Sequence, residues 1–183
     1  MRATEFLWLT LSQLYIAAFV LRFLLQLVRA DFYNPVSQVI VRVTQPVLKP
    51  ARRLIPSWGG IDVATITIVL VLQVVAVLVW FMIRGISPNP EMVALFSLVR
   101  LLDLVLNIYL LALIVHAIMS WVVQGYHPVM ALLGDLTAPI LNPIRRILPT
   151  AGGIDFSPMV AILLIYFIRL LLGDIFPALR GLL

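Results

Sequence analysis

Hydrophobic residues run in four long blocks along this chain, separated by short segments where Pro, Gly and charged residues cluster. The blocks cover roughly Phe6–Val28, Val63–Ile83, Leu101–Val123 and Phe156–Leu172. A helix needs about 20 apolar residues to cross a bilayer, so all four are candidate spans, the last being short. Between the first two blocks, Val36, Val39, Ile40, Val43 and Val47 recur at helical spacing, with Ser37, Gln38, Arg42 and Gln45 between them. Val129, Leu132, Leu133, Leu136 and Ile140 repeat that pattern between the last two blocks. An amphipathic stretch of about 14 residues is too short to span. It fits a helix lying in the headgroup plane or one tucked against the bundle.

Self-comparison explains why the pattern appears twice. Thr44-x-Pro46-x-x-x-Pro50-x-Arg52-Arg53-x-x-Pro56-x-x-Gly59-Gly60-Ile61-Asp62 recurs 93 residues later as Thr137-x-Pro139-x-x-x-Pro143-x-Arg145-Arg146-x-x-Pro149-x-x-Gly152-Gly153-Ile154-Asp155. Asn34-Pro35 matches His127-Pro128, and Tyr15 matches Tyr109 after a one-residue shift. With that shift Arg22 faces His116 and Gln26 faces Ser120. The predicted fold is therefore an all-α membrane protein with four transmembrane helices. They come from two parallel two-helix repeats, each with an interfacial amphipathic helix and a Pro/Gly-rich loop. The modules occupy 6–83 and 101–173, with 84–100 as connector. Two spans per module give both copies the same orientation, so both motif loops share one membrane face and a pseudo-twofold axis follows the membrane normal.

Composition agrees with a membrane setting. Of 183 residues, 63% are hydrophobic and 11% charged, far below the roughly 25% charge of soluble domains. The net charge of +5 points to anionic headgroups and membrane orientation rather than to nucleic acid. Glu5 stands where a signal peptide would be basic, so the first block is expected to stay in the mature protein. Cysteine is absent, which excludes disulfides, thiolate metal sites and cysteine catalysis. Arg29, Arg42, Lys49, Arg52, Arg53, Arg145 and Arg146 lie on the motif side; Arg2, Arg84 and Arg180 lie opposite, with Arg100 and Arg169 near that boundary. The positive-inside rule then puts the motif loops in the cytoplasm and both termini outside.

The motif's chemistry can be read residue by residue. Its prolines are expected to break any continuous helix and stiffen the return to the membrane. Each Gly pair permits a tight turn with positive φ. Asp62 and Asp155 then stand at helix starts, as N-caps or as an ion or proton site. Arg52-Arg53 and Arg145-Arg146 anchor to lipid phosphates or dock a partner, and either Arg of a pair can reach the Asp across the turn. Within the spans, Arg22 and Gln26 share a helix face, as do His116 and Ser120, which predicts a polar seam between modules. Arg22 is also close enough to the boundary to snorkel. Asn107 and Gln73 are further polar candidates, and a lone His116 is weak evidence for haem or metal. No catalytic set, metal motif or phosphate loop is visible, so no enzyme activity and no cofactor are expected.

At the repeated Pro-x-Leu-x-Pro-x-Arg-Arg-x-x-Pro-x-x-Gly-Gly-Ile-Asp, the chain resembles the YggT family of bacterial and plastid membrane proteins over nearly its whole length. The resemblance implies a multi-pass protein of the bacterial inner membrane. It also implies a role in membrane-protein assembly, envelope or division-site organisation, or tolerance to osmotic shock. Plastid relatives are linked to cytochrome b6 maturation and nucleoid distribution. The family favours Arg followed by Ser-Trp in the first helix of each module. Here Arg22 lacks the Ser-Trp, whereas His116 replaces Arg and precedes Ser120-Trp121. The expected function is a non-enzymatic assembly or organisation factor contacting the bilayer and another membrane or cytoplasmic protein. A small channel or transporter working through the module interface is the alternative, and either allows a homo-oligomer.

Overall fold

A computed structural model describes residues 3–123, 125–148 and 155–177. Among these the chain forms six helices: α1 Ala3–Leu27, α2 Pro35–Leu54, α3 Val63–Arg84, α4 Pro90–Val122, α5 Pro128–Ile147 and α6 Ser157–Ile175. Helices α1, α3, α4 and α6 are long and apolar enough to cross a membrane. Capping groups set the end of α1, both ends of α3 and the start of α4. The Asp62 side chain caps α3 by accepting from the Thr65 amide. Helix α1 stops in a Schellman turn, with Ala30 N–H bonded to the Leu25 carbonyl and Arg29 N–H to Gln26. Arg29 adopts a φ of 54° there, in the place usually given to glycine. Gly85 ends α3 in the same way, with a φ of 69°.

Two expectations are corrected. The prolines do not break the amphipathic helices: Pro46 and Pro50 lie inside α2, and Pro139 and Pro143 lie inside α5, each helix being 20 residues long. A proline within a helix frees the carbonyl one turn earlier. Pro46 and Pro50 stand on the exposed face of α2, where the freed carbonyls can be hydrated. The buried face carries Ser37, Ile40, Thr44 and Leu48 and packs on α1 and α3, so α2 is tucked against the bundle. The third span also starts earlier than its apolar block. Helix α4 runs 33 residues from Pro90, because Asn89 caps it and Arg100 is buried within the bundle instead of marking a boundary.

Asn34 Nδ2 donates to the Pro128 carbonyl at 2.6 Å, so the two α2 and α5 starts meet at one end of the bundle. The opposite end of module 1 is closed by Arg84, which pairs with buried Glu5 at 3.3 Å and lies 4.4 Å over the Trp80 ring. The repeats are parallel, but their packing departs from a closed twofold. Helix α4 packs on both α1 and α3, whereas α6 packs on α4 and α5 and makes no comparable contact with α1. Leu132 and Leu136 of α5 are 5% and 2% exposed inside a core that they share with α1. Their repeat equivalents Val39 and Val43 on α2 are 61% and 47% exposed. A one-sided contact of this kind is heterologous, leaving unlike surfaces at the two ends of the pair.

Candidate functional site

The strongest convergence lies at the motif loop of module 1. Trp58 and Ile61 exchange backbone hydrogen bonds of 3.1 and 3.0 Å. Between them Gly59 and Gly60 have φ of 60° and 81°, the positive pair of a type I′ turn. That turn returns the chain so that Asp62 meets the end of α2. Asp62 Oδ2 accepts from Arg52 Nε at 3.1 Å and from Arg52 Nη2 and Thr65 Oγ1, while Oδ1 accepts from the Thr65 amide at 3.3 Å. One buried carboxylate thus caps α3 and latches it to α2.

Module 2 repeats the latch in a looser form. Arg145 Nε donates to Asp155 Oδ2 at 2.9 Å, and the Ser157 amide donates to Asp155 Oδ1 at 2.9 Å. In both modules the first arginine of the pair takes the carboxylate, ten residues on; Arg53 and Arg146 are left exposed. Pro149, Gly152, Gly153 and Ile154 lie outside the described residues.

Burial raises the Asp62 carboxyl, but its bonds from Arg52 and Thr65 outweigh that and hold it below the ordinary value. For Asp155, burial is likewise outweighed by bonds from Ser157 and Arg145. A folded value below the unfolded one, about 4, stabilises the protein above that pH and is lost as pH falls through the folded value. The melting temperature in detergent is therefore expected to stay level at neutral pH and fall below about pH 4. The Asp62→Asn variant should lose part of that acid slope. An unchanged slope would show that Asp62 does not contribute to it.

Arg22 departs from the snorkelling and inter-module seam expected of it. It is 6% exposed and turns toward α2 of its own module. Its Nη1 donates to Thr44 Oγ1 at 2.6 Å and its Nη2 to Gln45 Oε1 at 2.9 Å. His116 does the same in module 2, where Nδ1 lies 3.0 Å from Thr137 Oγ1, Thr137 being the repeat partner of Thr44. Gln26 lines a cavity beside Arg22, whereas Ser120 is exposed and donates to the Ala117 carbonyl of its own helix at 2.7 Å. His127 stands at the start of α5 without a side-chain capping bond. Among the described residues no group of His, Asp and Glu is placed to hold a metal ion.

A polar cluster within the spans belongs to no repeated motif. Asp103 of α4 accepts from Arg169 Nε of α6 at 2.7 Å and from Asn107 Nδ2 at 3.0 Å. The Gln13 amide of α1, turned to suit its neighbours, accepts from Arg100 Nε and Nη2 at 3.0 and 2.8 Å. Buried Gln73 of α3 approaches Gln13 to 3.5 Å. The available signal was the acid inside an apolar block: Asp103, three residues from Arg100 on one helix face.

Fold and site together define a four-span membrane protein of tandem repeats, whose duplicated chemistry is a latched loop after each amphipathic helix. The chain belongs to the CCB3/YggT family, whose profile matches residues 1–83 and 95–176. The YggT protein of Escherichia coli strain K12 is 40% identical over 178 residues, covering 97% of this chain and 93% of that protein. PA0392 of Pseudomonas aeruginosa is 40% identical over 175 residues, covering 94% and 89%. A Vibrio alginolyticus protein of the proC 3′ region is 43% identical over 178 residues, covering 96% of each. No solved structure matches the chain.

Proposed function

We propose that the protein is a non-enzymatic scaffold of the bacterial inner membrane, which organises or assembles membrane proteins by presenting its two motif loops at the cytoplasmic face. One observation carries this reading. Each amphipathic helix ends by displaying a basic and an apolar side chain next to a latched arginine. Arg53-Leu54 and Arg146-Ile147 are both exposed, Leu54 at 84% and Ile147 at 81%. Rigid display of such pairs at one end of the bundle suits a protein or membrane surface, because the latch removes the entropy that binding would otherwise cost. Family membership extends the proposal to envelope organisation and tolerance of osmotic shock. The bacterial relatives and the basic residues of the motif side support the location and orientation. Asp62 and Asp155 are each engaged by an arginine and a helix start, which favours a structural role over an open ion site.

The test is crosslinking in cells followed by affinity purification of the full chain. Arg53→Glu with Arg146→Glu is expected to lose the specifically crosslinked proteins while the helical signal is kept and the stability stays within about 0.5 kcal/mol of wild type. Retention of every partner by the folded double variant would remove the loops as the docking surface. Survival of a deletion strain after hypo-osmotic shock, with and without the double variant, reads the osmotic arm.

A further inference from the structure

The loop of module 1 borders a half-open cavity that the scaffold reading does not use. It measures about 520 Å³ and is lined by Arg22, Gln26, Phe32, Arg52, Ser57 and Asp62. A second hollow of about 200 Å³ shares Gln26 and Asp62 with it and reaches Arg29 and the Gly59-Gly60 turn. The charges around this space do not balance. Arg52 takes the Asp62 carboxylate, and the hydrogen-bond partners of the buried Arg22 guanidinium, Thr44, Gln45 and the Val41 carbonyl, are all neutral. A guanidinium held at the edge of an apolar bundle without its own anion is costly. The amide of Gln26 and the hydroxyl of Ser57 face the same cavity, and no hydrogen bond engages either side chain among the described residues. Two guanidiniums, an amide and a hydroxyl around one hollow are donors suited to phosphate oxygens. Phe32 and Ile55 of the large cavity, with Phe23 and Leu27 of the small one, add apolar wall.

We propose that this cavity binds a phosphate group, supplied by the headgroup of an anionic membrane lipid, and that module 1 alone has the site. Module 2 lacks two of the donors: His116 stands for Arg22 and bonds Thr137, and Ser120 stands for Gln26 and bonds its own helix. The proposal is independent of the docking role of Arg53 and Arg146, which lie outside the cavity. The site's location between an amphipathic helix and the end of a span, together with its mixed walls, fits a headgroup better than a freely diffusing ion.

The test uses the full chain in detergent with equal amounts of phosphatidylglycerol and phosphatidylcholine, read by native mass spectrometry. Phosphatidylglycerol is expected to be retained in preference, one molecule per chain. Gln26→Glu supplies a carboxylate to the cavity, so it should raise the melting temperature yet weaken phosphatidylglycerol retention at least about tenfold. Arg22→Gln should also weaken retention, whereas His116→Gln should not. A separate arm titrates inorganic phosphate against the melting temperature. Protection by phosphate without lipid retention upholds the phosphate chemistry and assigns its source to solution. Equal retention of both lipids together with no response to phosphate overturns the site. Should Arg22→Gln misfold, the folded Gln26→Glu variant decides alone, and undiminished retention there is fatal to the proposal.

Discussion

Asp62→Asn is expected to destabilise the protein by about 3 kcal/mol, and its repeat partner Asp155→Asn by about 1 kcal/mol or less. The two aspartates occupy identical motif positions, so sequence alone would predict equal effects. The Asp62 side chain is 5% exposed and the Asp155 side chain 33%. Asn at 62 keeps one cap acceptor but loses the charge that holds Arg52 Nε and Nη2. It also leaves buried Arg22 in a cavity with no carboxylate at all. At 155 the lost pair is solvent-screened and repays little. Thermal unfolding of both variants in one detergent, followed by helical circular dichroism, measures the difference. Equal losses would mean that burial does not set the strength of the latch.

Asp103→Asn is the second large effect, expected at about 3 kcal/mol and concentrated on the docking of α6. That helix contacts α4 and α5 and has no comparable contact with module 1. Its apolar contribution to the core is small, with Ala161 and Ile165 buried and Ile162 partly buried beside them. The Asp103–Arg169 pair at 2.7 Å therefore carries an unusual share of its attachment. In lipid there is little hydrophobic force to hold one apolar helix on another, so packing and polar contacts decide association. The chain has no cysteine, so Leu106→Cys on α4 and Ile162→Cys on α6, which pack on the same cluster, can be joined by a flexible bis-maleimide without background. Crosslinking should fall in the Asp103→Asn background and recover in part when Arg169 is also made neutral, as Arg169→Gln. Unimpaired crosslinking in the single variant would show that packing alone holds α6.

The four spans, the repeat and the loop chemistry were legible because each depends on local sequence. Apolar length fixes a span, since every backbone group in lipid must be bonded within the helix. Duplication is visible by direct comparison. The Asp62 cap is a short-range device that its position announces. The Pro-rich stretch misled for an equally local reason. A proline always removes a helix hydrogen bond, but the loss is cheaper where the freed carbonyl meets solvent, and only the packed structure reveals that Pro46 and Pro50 face outward.

The sequence by itself determined two parallel membrane modules, each with an amphipathic helix and an acid at the next helix start, and in module 1 a turn at the Gly59-Gly60 pair. Tertiary structure decided which groups meet: that Arg52, not Arg53, latches Asp62, and that Arg22 and His116 face Thr44 and Thr137 within their own modules. It also brought Gln13, Arg100, Asp103 and Arg169 into one cluster, from segments that share no motif. The physical reason is that helix formation and membrane insertion follow from neighbours along the chain. Pairing of charges depends on how helices rotate and tilt against one another, and one-sided packing of the two modules makes equal sequences meet unequal surroundings.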